Sequence, residues 1–129
     1  MNKSFLRSGA LLGALSVMLG AFGAHALKQV LDEKKMVIFE TAVRYQFYHA
    51  IALMITGILY KEFAGNLLLW AGRLFVFGIL LFSGSLYGLT LLEATGNHDF
   101  KWLGAITPIG GVCFMAGWIT MAVSVTKKD

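Results

Sequence analysis

Apolar side chains fall in four long stretches, at about residues 5–27, 43–60, 70–92 and 106–125. As α-helix, each is long enough to cross the ~30 Å hydrocarbon layer of a bilayer. Nothing alternates apolar and polar with period two, so spanning strands are set aside. The first stretch is interrupted only by Arg7. The third contains an uncharged run from Leu74 to Leu92, preceded by Trp70 and Arg73. Trp102 precedes the fourth, and Lys127 and Lys128 follow it. The second is the least clean, with Arg44, Gln46 and His49 in its opening turns. The connections from Lys61 to Asn66 and from Glu93 to Trp102 are short, which makes neighbouring helices antiparallel. The predicted fold class is all-α and integral to the membrane: one domain over residues 1–129, built as a four-transmembrane-helix bundle.

The segment from Lys28 to Ala42 has a helical period of its own. Leu27, Val30, Leu31, Lys34, Val37, Ile38, Thr41 and Ala42 recur on one side, opposite Lys28, Gln29, Asp32, Glu33 and Lys35, while Phe39 breaks the pattern. This predicts a short amphipathic segment before the second span, lying on the bilayer or extending that span. Lys3, Arg7 and Ala24-His25-Ala26 resemble the ends of a signal peptide. The stretch between them is long for such a segment and reads as a span.

Composition agrees. Of 129 residues 57% are apolar and 14% charged, against roughly 25% charged in soluble domains. The net charge of +4 is spread through loops and ends, without a basic run interleaved with aromatics. Nucleic acid is therefore excluded as a partner, and the bilayer is expected. Four spans put both termini on one side. That side carries Lys3, Arg7, Lys61, Arg73, Lys127 and Lys128. The other carries Lys28, Lys34, Lys35, Arg44 and Lys101. This small excess favours cytoplasmic termini. A single cysteine, Cys113, rules out an internal disulfide and reads as a small core residue.

Small residues mark expected helix contacts. Gly9, Gly13, Ser16, Gly20 and Gly23 recur every three or four residues, a seam that allows close approach where lipid gives helices little other drive to associate. Gly84, Gly88, Gly110 and Gly117 offer matching faces on the third and fourth spans, which are the expected neighbours, along with the same span of a second copy. Thr107-Pro108 reads as the start of the fourth helix or a kink in it.

Polar residues gather at the membrane face opposite the termini. Glu40, Arg44 and Tyr48 form one helical row, and Thr41, Tyr45 and His49 the next, with Gln46 between. His25 and His98 fall on the same side, so all three histidines share one face. Arginine, glutamine and histidine at the mouth of a span need partners or water. Arg44 and His49 are therefore expected to face the bundle interior, meeting His25, Ser85, Tyr87 or the backbone around Thr107 and Pro108. The same groups admit two readings: a network tying helix ends together, or a site for a lipid headgroup or small molecule. Tyr45, Tyr48, Tyr60, Trp70 and Trp102 read as aromatic belts. Met18, Met36, Met54, Met115 and Met121 read as packing.

Four strings carry a resemblance: Gly20-Ala21-Phe22-Gly23-Ala24-His25-Ala26-Leu27; Phe39-Glu40-Thr41-Ala42-Val43-Arg44-Tyr45-Gln46 with Tyr48-His49-Ala50; Phe82-Ser83-Gly84-Ser85-Leu86-Tyr87; and Gly104-Ala105-Ile106-Thr107-Pro108-Ile109-Gly110-Gly111. With them the chain resembles the domain of unknown function 423 family, which has YgdD-like bacterial inner-membrane members and a eukaryotic transmembrane relative. The resemblance covers nearly the whole chain. It implies four membrane helices and a bacterial inner-membrane location, and no established activity.

No catalytic set is visible: no serine–histidine–carboxylate arrangement, no paired active-site carboxylates, no metal motif. No catalytic residue, metal or cofactor is expected, and the sequence leans away from an enzyme. The favoured function is a structural, interaction or lipid-organising membrane module. One alternative is a small-solute transporter or channel formed by an oligomer, although no span carries a central carboxylate. Another is a haem- or quinone-binding protein using His25 and His49. Expected partners are the bilayer and a homo-oligomer or larger membrane complex.

Overall fold

The computed structural model describes residues 1–96 and 99–126. These form four helices: α1 (Lys3–His25), α2 (Glu33–Phe63), α3 (Asn66–Ala94) and α4 (Thr107–Thr126). Single 3₁₀ segments, Leu27–Gln29 and Lys101–Ala105, lie in the first and third connections, and no strand occurs among the described residues. Three stretches, Lys3–Gln29, Asn66–Ala94 and Lys101–Thr126, are long and apolar enough to cross a membrane. The longest helix, α2, is not among them, because Arg44, Gln46 and His49 dilute its apolar run.

Capping fixes where α1 and α2 begin. The Asn2 side chain accepts from Phe5 N at 3.0 Å and the Asp32 side chain from Lys35 N at 2.8 Å. With its cap at Asp32, α2 absorbs the segment read as amphipathic from Glu33 onward, while Lys28 and Gln29 belong to the first 3₁₀ segment. The absorbed part is an extension of the second helix, not a separate element on the bilayer. Gly96, at a left-handed φ of 86°, ends α3.

Two antiparallel pairs make the molecule. α1 lies on α2, not on α3 or α4, which corrects the expected neighbour. Asn2 N donates to Gly57 O at 2.9 Å at one end of this pair, and Phe39 packs under Gly23 at the other. Gly9 sits against Met54 and the Ala50 carbonyl. Ser16 is buried and bonds back to Leu12 O at 2.9 Å. Gly9, Ser16 and Gly23, seven residues apart, are the buried line of α1. A methyl on Gly13 would meet nothing within 4 Å, and one on Gly20 only Val43 Cγ1 at 3.5 Å. The sequence seam is therefore half contact and half edge.

α3 and α4 interlock by exchanging phenylalanines and glycines. Phe75 fills the space over Gly117, Phe114 that over Gly78, and the Phe82 backbone meets Gly110. At Gly110 a methyl would stand 2.7 Å from Phe82 Cα. This approach coincides with a π-helical segment of α3, Ile79–Ser83, flanked by ordinary α-helix. Gly88 meets Leu103 of the second 3₁₀ segment, while Gly84 meets nothing within 4 Å. α1 reaches this half through Phe5, which lies over Gly72.

Residues buried to completion include Phe39, Leu53, Leu68 and Phe75. Large apolar residues also cover the outside: Leu11, Met18, Ile51, Ile55, Leu80, Met115 and Ile119 are all exposed. Such a surface suits lipid. It also explains why Met18 and Met115, expected as packing residues, face outward.

Candidate functional site

The polar residues read from the sequence as one cluster separate into three groups. The first ties helices together in the interior. Gln46 Nε2 donates to Leu12 O at 2.9 Å, and its Oε1 accepts from the Tyr87 hydroxyl at 2.6 Å, joining α1, α2 and α3. The Ser83 hydroxyl donates to Ala42 O at 2.7 Å. The Ser85 hydroxyl donates to Phe82 O at 2.9 Å and lies 2.5 Å from the Thr107 hydroxyl. With the serine proton committed, Thr107 is the donor of that pair. Helix α4 starts at Thr107 with Pro108 in its first turn, where a missing N–H costs nothing. Among the described residues no buried side-chain nitrogen or oxygen lacks a partner.

The second group surrounds His49, which is 5% exposed. Its Nδ1 lies 2.7 Å from the Tyr45 carbonyl, which can only accept, so Nδ1 carries the proton. Its Nε2 then accepts from Trp118 Nε1 at 3.1 Å. The imidazole stacks on Phe114, with ring centroids 3.5 Å apart and planes at 9°. Tyr45 stacks on Phe82 at 4.8 Å and contacts Tyr48 at 5.9 Å. A shallow groove of about 380 Å³ opens over His49, Phe114 and Trp118.

His49 is thus interior, but its partner is Trp118, not His25, Ser85, Tyr87 or the start of α4. His25 is exposed at the end of α1 and does not converge with His49 on a common ligand. His98 lies outside the described residues, as do Lys127 and Lys128. Among the described residues no group of three histidine, cysteine or acidic side chains is placed to hold a metal. Trp118 and Ser83 escaped the sequence reading.

The third group is charged and faces outward. Arg44 is exposed, which corrects its expected interior position. Its row on α2 borders the open edge of α1, so its long side chain can reach water from there. Glu40, one turn earlier, is also exposed, with Thr41 beside it bonding back to Val37 O at 2.8 Å. Neither Glu40 nor Arg44 has a hydrogen-bond or ion-pair partner among the described residues. Between them and α1 runs a cleft of about 210 Å³, floored by Gly20, Gly23, Phe39 and Val43. A wider hollow of about 610 Å³ continues from it toward Lys28 and Glu33, sharing Ala24, Met36 and Glu40. Nearby, Lys35 and Glu93 pair at 3.0 Å and tie α2 to α3.

The family described as "Protein of unknown function (DUF423)" matches residues 19–111. A UPF0382 membrane protein of Staphylococcus haemolyticus is 45% identical over 125 residues, 97% of each chain. One of Staphylococcus epidermidis is 44% identical over the same share of both. The UPF0382 membrane protein YwdK of Bacillus subtilis is 40% identical over 126 residues, 97% of this chain and 98% of its own. No solved structure matches.

Proposed function

Because the chain belongs to the DUF423 family of membrane proteins, we propose that it is a four-span protein of the bacterial cytoplasmic membrane that organises lipid at its outer face. Packing supports the fourth span. α2 accompanies α1 from Gly57, beside Asn2, to Phe39, beside Gly23. The eighteen residue steps of α2 from Phe39 to Gly57 rise about 27 Å, close to the hydrocarbon thickness. If α1 crosses, α2 crosses with it, and its polar groups are shielded by the bonds that Gln46 and His49 make inside. Both termini then lie on the cytoplasmic side, as the small Lys/Arg excess favours.

The observation that carries the lipid role is the α1–α2 cleft. Among the described residues every buried polar side chain has a hydrogen-bond partner, whereas Glu40 and Arg44 stand without protein partners beside an apolar floor toward the outer end of the α1–α2 pairing, from where long side chains extend to the interface. Charged side chains there find partners in headgroups.

Native mass spectrometry of the protein released from bacterial membranes in mild detergent tests this. The expected result is phospholipid retained by the wild type and lost from Gly20→Leu, whose side chain fills the cleft. Wild-type protein free of lipid, or equal retention by Gly20→Leu, contradicts it.

A further inference from the structure

We infer that the α1–α2 cleft selects a zwitterionic phospholipid with a primary amine, its phosphate held by Arg44 and its ammonium by Glu40. This rests on the lipid-holding reading above and adds the headgroup class.

The order of charges along α2 comes first. Counted from the outer end of α2, Glu40 precedes Arg44 by four residues, so Arg44 lies about 6 Å deeper toward the bilayer centre. A phospholipid headgroup has the same order: the phosphate sits next to the glycerol and the amine lies farther out. Arg44 at the deeper level faces the phosphate, which a guanidinium grips with paired hydrogen bonds. Glu40 at the shallower level faces the ammonium.

Charge balance along the two hollows points the same way. Their lining carries two cations, Lys28 and Arg44, and two carboxylates, Glu33 and Glu40. An anionic headgroup would gain Arg44 and Lys28 but meet both carboxylates. A zwitterion meets an opposite charge at each end. The spacing of Glu40 and Arg44 allows a mutual helix pair, but exposed pairs of that kind are weak, so exchange for a ligand with both charges costs little.

The choice of a primary amine follows from the walls. A quaternary ammonium is recognised by the faces of several aromatic rings. Among the described residues the only aromatic one lining the hollows is Phe39, and it is fully buried beneath Gly23. Glu40 offers instead carboxylate oxygens, which suit an ammonium that still has N–H donors. Gly20 and Ala24 leave the floor open to the start of an acyl chain.

The test reconstitutes the protein in bilayers of phosphatidylethanolamine, phosphatidylcholine and phosphatidylglycerol in equal amounts, extracts it gently and weighs the retained lipid by native mass spectrometry. Wild type is expected to retain phosphatidylethanolamine about tenfold over each of the others, the size of one charged hydrogen-bonded contact. Glu40→Gln is expected to erase the preference over phosphatidylcholine, and Arg44→Gln to lower retention of all three. The double variant Glu40→Arg/Arg44→Glu keeps composition and net charge but reverses their order, and is expected to lose phosphatidylethanolamine. Both residues are exposed, so unchanged melting temperatures confirm that these variants fold. Equal retention of the three lipids, preference for phosphatidylglycerol, or a reversed-charge variant that still holds phosphatidylethanolamine overturns the headgroup assignment alone. Wild type that retains no lipid overturns the lipid-holding reading with it.

Discussion

Trp118 donates its indole N–H to Nε2 of His49 at 3.1 Å, joining α4 to α2 midway along both helices. The bond requires the imidazole tautomer with its proton on Nδ1, which the Tyr45 carbonyl holds at 2.7 Å. Replacing Trp118 by Phe removes the donor and leaves Nε2 facing apolar rings. A loss of about 1 kcal/mol is expected, measured as a lower melting temperature in detergent. In the double variant Trp118→Phe/His49→Leu the loss should be smaller than the sum of the single ones, since these two residues share the bond.

Tyr87, Gln46 and the Leu12 carbonyl form a chain of bonds across three helices. Tyr87→Phe strands the Gln46 oxygen in a buried place, at a cost of about 1–3 kcal/mol. Removing Gln46 as well, with Gln46→Leu/Tyr87→Phe, should recover part of that loss. Thermal unfolding of the two variants side by side checks the sign of the difference.

Two glycines that both read from the sequence as helix-contact residues should respond in opposite ways. Gly110→Ala must push the α4 backbone from Phe82, for about 1–3 kcal/mol of overpacking. Gly13→Ala points into open space and should leave packing intact, with a small gain from helix propensity of under about 1 kcal/mol. Equal effects at the two positions would contradict the helix pairing described here.

The ion pair between Lys35 and Glu93 lies partly exposed. Lys35→Gln should therefore change stability by no more than about 1 kcal/mol. A larger drop in melting temperature would assign this pair a structural weight that its exposure does not support.

Helix positions were legible in the sequence because a bilayer demands long apolar runs. Helix faces were not, because lipid and core are both apolar. Phe39 broke the amphipathic pattern of its segment and is in fact the buried anchor against Gly23, whereas Val37, on the face read as apolar, is exposed. The glycines of α1 announced a contact, but five small residues in a row of threes and fours could not say that Gly13 lies off it. Trp118 went unnoticed because it sits within an apolar run, away from the belts where tryptophan is usual. The missed signal was its N–H, which needs an acceptor at that depth. Cost argues for Arg44 inside the bundle, but near the mouth of the span a long side chain that reaches the interface lowers that cost.

The most direct measurement is a structure of the wild-type protein in a lipid nanodisc containing phosphatidylethanolamine. The expected map shows headgroup density in the α1–α2 cleft, with the phosphate against Arg44, the amine against Glu40 and an acyl chain leaving over Gly20. A cleft closed by a direct Glu40–Arg44 pair, or filled by a helix of a second copy, would contradict the lipid-holding account.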